Sequence, residues 1–178
     1  IWGKVTLFDI GAKVPFIVRA PGLSKAGTTS EAMVELIDVY PTLADLAGLQ
    51  APSHLQGVSL RPLLGNPDRL GKKKYAYSVV TRGPKNLGYA LRNQNWRYGK
   101  WPDGEELYNL RNDPQEKNNL AQREHLKERL EEFRKILANK QKLVEKSNFE
   151  SLIESGSIND DTIVFNNLVS SKHAFLNS

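Results

Sequence analysis

Apolar and polar positions change their spacing several times along the chain, and each change predicts a different element. Val14-Pro-Phe-Ile-Val-Arg-Ala20 is a short β-branched run closed by Pro21-Gly22, the pattern of a buried strand. Pro15 stands near its start, where a missing backbone donor does least harm. Over residues 31–48, Met33, Leu36, Ile37, Tyr40, Leu43, Ala44 and Ala47 fall on one helical face. Pro41 puts the helix start shortly before it, because proline belongs in a first turn; Asp38 is the predicted N-cap and Gly48 the stop. Pro52, Gly57, Pro62, Gly65, Pro67 and Gly71 then punctuate a loop-rich connector over 50–72, a candidate boundary.

Alternation takes over from residue 75. It predicts strands over Tyr75–Thr81, Leu87–Arg92, Trp96–Trp101 and Glu106–Leu110, with turns at Asn93-Gln94-Asn95 and Pro102-Asp103-Gly104. Asp113-Pro114 ends the pattern. Residues 122–142 read as a helix, with Leu126, Leu130, Phe133 and Leu137 on one stripe and Glu131–Lys135 as a favourable surface pair. That stripe is expected to pack on the preceding sheet. Residues 143–178 hold apolar clusters such as Leu152-Ile153 and Ile163-Val164-Phe165, broken by Gly, Ser and Asn, a pattern allowing a small helix and a strand.

Composition narrows the function classes. Net charge is +5, but the surplus is scattered and its densest run, Lys72-Lys73-Lys74, reads as a solvated loop rather than a nucleic-acid surface. No apolar run is long enough to span a membrane as a helix. With no cysteine, disulfide and thiol chemistry are excluded within these residues. The chain opens inside an apolar segment at Ile1-Trp2-Gly3-Lys4, with no signal-peptide pattern, and a part preceding it is expected.

Three stretches resemble the sulfatase family of the alkaline-phosphatase-like superfamily. Trp2-Gly3-Lys4-Val5-Thr6-Leu7-Phe8-Asp9, running on to Val14-Pro15 and ending at Pro21-Gly22, is similar to the segment that follows the family's metal-binding region. Asp38-Val39-Tyr40-Pro41-Thr42-Leu43 with Leu46-Ala47-Gly48, followed by Gly57-Val58-Ser59-Leu60-Arg61-Pro62-Leu63-Leu64, resembles a family helix and the loop after it. Gly88-Tyr89-Ala90-Leu91-Arg92, Trp96-Arg97-Tyr98 and Glu106-Leu107-Tyr108-Asn109-Leu110, with Asp113-Pro114, Glu116 and Asn118-Asn119-Leu120, resemble the family's C-terminal subdomain. The Gly-Tyr-Ala-Leu-Arg form leans toward its iduronate-2-sulfatase-like branch. The resemblance covers about residues 2–138.

The resemblance implies an α/β fold class: the C-terminal fragment of an alkaline-phosphatase-like fold. Residues 1–70 would end the large α/β domain, 71–142 would form a small antiparallel sheet with a packed C-terminal helix, and 143–178 stay unassigned. It implies hydrolysis of sulfate esters, with sulfated carbohydrate as the partner, no nucleic acid and no membrane. It implies formylglycine and Ca²⁺ in the intact enzyme, with none bound by this fragment, and an exported, periplasmic or lysosomal setting for that enzyme.

Lys4 is the one residue that matches a family active-site position, where an ammonium would contact a sulfate oxygen and stabilise charge toward the leaving group. The nucleophile motif C/S-x-P-x-R is absent, and the family's metal-ligand aspartates would fall in the missing N-terminal catalytic half. The fragment alone is expected to be inactive. Asp160-Asp161 has no third ligand at metal spacing and reads as a loop. His54, His125 and His173 are isolated, with no assignable triad partner. Trp96, Trp101, Tyr98 and Tyr89 are candidates either for a sugar-binding cleft or for core and cross-strand pairs, and Arg92 and Arg97 for attracting an anionic glycan. A phosphonate or phosphodiester hydrolase of the same superfamily and a non-catalytic binding fragment are the alternatives. If neighbouring strands are lacking, the first part is expected to expose an apolar edge that aggregates.

Overall fold

The computed structural model describes residues 6–52, 55–82 and 86–145. Four strands, β1 (Ala76–Thr81), β2 (Leu87–Arg92), β3 (Trp96–Trp101) and β4 (Gly104–Asn109), form an antiparallel meander in chain order. Adjacent strands joined by short turns give this topology directly. Asn93 makes the β2–β3 turn: its Oδ1 accepts the backbone N–H groups of Asn95 (2.9 Å) and Trp96 (2.8 Å). Trp101 pairs with Gly104, so β4 starts and ends before the predicted Glu106–Leu110.

The strand period divides the sheet into two faces. Tyr77, Val79, Leu91, Tyr98 and Leu107 point to one face, where they pack with Leu130, Phe133 and Leu137 of helix α4 (Lys127–Glu145). The rings of Tyr98 and Tyr75 lie 5.7 Å from that of Phe133. Val80, Ala90 and Trp101 point to the opposite face and pack on Leu7. The predicted helix and its stripe are therefore present, capped in front by a 3-10 turn over Glu124–Leu126. The surface pair that forms is Glu131–Arg134 at 2.9 Å, and no bond to Lys135 accompanies it.

The outer edge of β4 is closed by the chain that follows it. Asn119 Oδ1 accepts the N–H of Leu107 at 3.0 Å, its Nδ2 donates to the Glu105 carbonyl at 3.0 Å, and Leu120 N–H donates to the Leu107 carbonyl at 2.8 Å. Covering an edge in this way removes a template for foreign strands. Asp113 shapes the turn leading there by accepting the N–H groups of Lys117 (3.1 Å) and Asn118 (2.8 Å).

Residues 6–70 contribute helices and turns: α1 (Asp9–Ala12), a 3-10 turn over Leu36–Asp38, α2 (Val39–Leu46) and α3 (Arg61–Gly65). The predicted strand over Val14–Ala20 is not formed. The segment finds no partner strand among the described residues, and Ile17 is 90% exposed. A β-branched run specifies an extended backbone, but a strand needs a neighbour to bond. Its stop is where it was expected, with Pro21-Gly22 turning so that Leu23 and Ser24 N–H groups reach the Ala20 carbonyl.

Helix α2 ends as predicted. Gly48 has φ +71°, and the bonds Gly48 N–H to Asp45 O (3.2 Å) and Leu49 N–H to Ala44 O (2.8 Å) complete a Schellman stop. Its buried face differs from the predicted one: Pro41 and Thr42 are inward while Tyr40 and Leu43 are 59% and 61% exposed. Polar anchoring sets this orientation. Thr42 Oγ1 accepts Leu60 N–H at 2.9 Å, and Asp45 accepts Ser59 Oγ–H at 2.5 Å and bonds Arg61 at 3.1 Å. The exposed apolar residues of this half include Ile10, Phe16, Ile17, Tyr40, Leu43 and Leu49.

Candidate functional site

Lys4, the sequence-predicted catalytic residue, lies outside the described residues, as do His54, His173 and the Asp160-Asp161 pair. What the structure describes is the segment immediately after Lys4 and how it is held. Leu7 is buried against the face of the sheet opposite α4, and Thr6 beside it is buried. Gly11 lets α1 fold back over Thr6, since a Cβ there would come within 2.3 Å of Thr6 Cγ2.

Charged groups from three separate parts of the chain fix the segment. Arg92 Nε donates to both carboxylate oxygens of Asp9, at 3.0 and 3.1 Å. Glu116 accepts the Asp9 N–H at 2.6 Å and also pairs with Arg97. Arg97, only 1% exposed, bonds Glu106 at 3.1 Å, and its guanidinium lies 4.5 Å from the Phe8 ring centroid and 4.7 Å from that of Tyr108. A buried guanidinium needs such compensation, here from two carboxylates and two adjacent aromatic rings. Glu116 holds φ +53°, a left-handed backbone that a glutamate adopts only when its surroundings demand it.

Arg92 and Arg97 are thus committed to internal carboxylates, which corrects the expectation that they attract a glycan. Among the aromatics, Tyr98 and Trp101 are buried, Tyr89 stacks on Tyr77 at 6.4 Å, and Trp96 lines a cavity. Core and cross-strand packing is the role of the first three. His125 lines the same cavity as Trp96.

A second polar centre joins the helical half to the sheet. Asp38, fully buried, accepts the N–H groups of Glu35 (2.9 Å) and Val58 (2.8 Å) and pairs with Lys73 at 2.6 Å. Glu35 pairs with the same ammonium and accepts the N–H of Tyr77 at 2.8 Å. Asp38 therefore caps the 3-10 turn and bolts the connector, and its side chain does not cap α2. Lys73, read from the sequence as part of a solvated run, has a side chain only 13% exposed. Its neighbours in the triplet give no signal of this, because its partners lie more than thirty residues away. Glu116 was legible as part of a motif, but its function as a bridge was not.

Among the described residues no three His, Cys, Asp or Glu side chains come together to hold a cation. No helix among them is long and apolar enough to cross a membrane. The described residues therefore do not fit a calcium site. What they offer is a set of charged and apolar anchors that hold Leu7, Phe8 and Asp9 on the sheet.

Residues 1–143 match the family described as N-sulphoglucosamine sulphohydrolase, C-terminal. Human arylsulfatase K is 32% identical over 129 residues, 66% of this chain and 24% of that protein. The N-acetylglucosamine-6-O-sulfatase of Bacteroides thetaiotaomicron is 32% identical over 148 residues, 78% of this chain and 26% of that protein. A structure solved with its substrate D-glucosamine-2-N,6-O-disulfate superposes with TM-score 0.68 at 30% identity, covering 74% of this chain and 28% of that one. The phosphonate monoester hydrolase of Silicibacter pomeroyi superposes with TM-score 0.71 at 25% identity, covering 83% of this chain and 33% of that one. The chain spans about a quarter of the length of the curated relatives it matches.

Proposed function

The chain belongs to the N-sulphoglucosamine sulphohydrolase C-terminal family of sulfatases, and from that premise we propose that it is the C-terminal part of a sulfuric ester hydrolase acting on sulfated carbohydrate. The observation that carries this reading is the match of residues 1–143 to that family, with sulfatases among the relatives. Residues 1–70 would complete a larger α/β catalytic domain, and residues 71–142 would be its C-terminal subdomain. The apolar side chains left exposed by the helical half, Phe16, Ile17, Tyr40 and Leu43 among them, suit burial against that domain. Formylglycine and Ca²⁺ would then be supplied by the intact enzyme outside this chain. An exported or lysosomal setting and a place near the iduronate-2-sulfatase-like branch belong to the same proposal.

This chain's own contribution is positioning and charge. Lys4 would bind a non-bridging sulfate oxygen, and its ammonium would stabilise the charge developing toward the leaving alcohol. A lysine on a free segment would lose most of that benefit to disorder. Here Leu7, Phe8 and Asp9 are seated on the sheet by Arg92, Arg97 and Glu116, so the backbone close behind Lys4 is fixed before substrate arrives. The sheet would act as the mount, and α4 on its other face as the brace.

The test is turnover of a sulfate ester by the full-length gene product with Lys4 intact and with Lys4→Ala. Loss of one such electrostatic contact is expected to cost about 100-fold or more in kcat. An unchanged kcat would remove Lys4 from the mechanism. The likeness to a phosphonate monoester hydrolase favours a second reading, in which the same scaffold serves phosphonate esters. Assaying both ester types separates the two.

A further inference from the structure

On the α4 face of the sheet, where β3 starts and β4 ends, lies a cavity of about 450 Å³. That volume suits a single sugar ring with its substituents. Trp96, Leu120 and Leu126 form its apolar wall, Asn109 and Asn112 supply amides, and Arg123 and His125 are part of the lining. The segment following Lys4 docks on the opposite face of the same sheet.

The chemistry of the wall is selective. Among the described residues the side chains of Asn112, Arg123 and His125 make no hydrogen bond or ion pair, so their donors are free. Asn109 uses only its carbonyl oxygen, which accepts Arg111 N–H at 3.1 Å. The guanidinium of Arg129 lies 4.8 Å from the Trp96 ring centroid and adds a further positive charge beside the cavity. The one carboxylate in the lining, Asp113, is occupied by the N–H groups of Lys117 and Asn118. Those bonds hold it ionised, so it offsets part of the positive charge, which Arg123 and Arg129 together exceed.

An apolar wall with one indole face left open by Arg129, free amide donors and arginines in excess of the single carboxylate together match a pyranose bearing an anionic group. The apolar face of the ring lies against tryptophan, its hydroxyls meet amides, and its sulfate meets arginine and imidazole. We propose that this cavity is a binding subsite for a sulfated sugar residue. It would hold a unit of the polysaccharide chain other than the one hydrolysed, and so add affinity through a second attachment point. The ligand class rests on the sulfated-carbohydrate reading above.

The test uses the full-length gene product labelled with ¹⁵N at tryptophan and titrated with D-glucosamine 6-sulfate, D-glucosamine and inorganic sulfate. The indole N–H signal of Trp96, assigned through Trp96→Phe, is the readout. The sulfated sugar is expected to shift it saturably. D-glucosamine should bind about tenfold or more weakly, and Arg123→Ala should weaken the sulfated sugar by a similar factor, the value of a charge-assisted hydrogen bond. The Arg123 side chain is exposed and makes no internal bond, and its backbone bonds to Leu120 and Leu126 survive truncation to alanine, so the fold is left intact. Absence of a shift, an equal response to inorganic sulfate alone, or an unaltered affinity in Arg123→Ala would overturn the subsite. Binding is read without turnover. A negative titration with an active sulfatase would therefore sink the subsite alone, and saturable binding by an enzyme that hydrolyses no sulfate ester would sink the functional reading alone.

Discussion

At Glu116 three demands meet in one side chain: a left-handed backbone, a buried ion pair with Arg97, and a hydrogen bond to the Asp9 N–H. Removing it with Glu116→Ala leaves Arg97 with Glu106 as its remaining carboxylate and frees the segment behind Lys4. The expected loss is about 2–4 kcal/mol, below the full cost of an orphaned buried charge because Glu106 persists. Hydrogen exchange should show the Asp9 amide losing protection more than amides in α4. Equal loss at both would mean a general softening and no specific clamp.

Glu105 gives a pH signature. Its bonds to Arg134 at 3.0 and 3.1 Å, with help from Tyr98 and Lys100, hold its carboxyl down at about 2, despite partial burial. The folded state therefore favours the ionised form. This stability is present above the ordinary glutamate range near 4.5 and is lost as pH falls toward about 2. Because Arg134 is 45% exposed, solvent screening reduces the contribution to about 1–2 kcal/mol. Denaturant unfolding should show Glu105→Gln less stable than the parent at pH 7 and nearly equal to it at the acid end. A constant gap across that range would contradict the assignment. Residue roles of this kind were the least legible in the sequence. Lys73 and Glu35 look like surface charges until the fold brings them together, because ion pairs across thirty or more residues leave no periodic trace.

Elements were more legible where one segment could satisfy its own demands. The β2 and β3 spans were read at their true limits because alternation, an asparagine turn and hairpin pairing all agree locally. Helix α4 was legible because Leu130, Phe133 and Leu137 carry a stripe that the sheet buries. The stripe can be tested directly. Phe133→Ala removes the ring against Tyr75 and Tyr98 and should cost about 3–5 kcal/mol in denaturant unfolding. A loss below 1 kcal/mol would mean that α4 is not the sheet's main cover. Val14–Ala20 and the face of α2 were misread for one shared reason. Apolar spacing says that a surface is to be covered, without saying by what, and polar anchors at Asp38, Thr42 and Asp45 decide which side turns inward.

For the whole molecule, two faces of one sheet divide the work. One carries α4 and the Trp96 cavity, the other the docked segment after Lys4. The fold class and the family were readable because their motifs are chiefly structural. Asp38 and Thr42 hold the 58–60 backbone, Asn119 seals β4, and Glu116 ties the first segment to the last turn. The chemistry was less readable, since Lys4, the proposed active-site lysine, is the one such position that the resemblance reaches.

The most direct measurement is the rate of sulfate release from a chromogenic aryl sulfate by the full-length gene product, beside its Lys4→Ala variant and a matched phosphonate monoester. The sulfate ester is expected to be preferred, and Lys4→Ala to lower kcat by about 100-fold with the fold preserved. Preference for the phosphonate, or an unaltered rate in the variant, would contradict this.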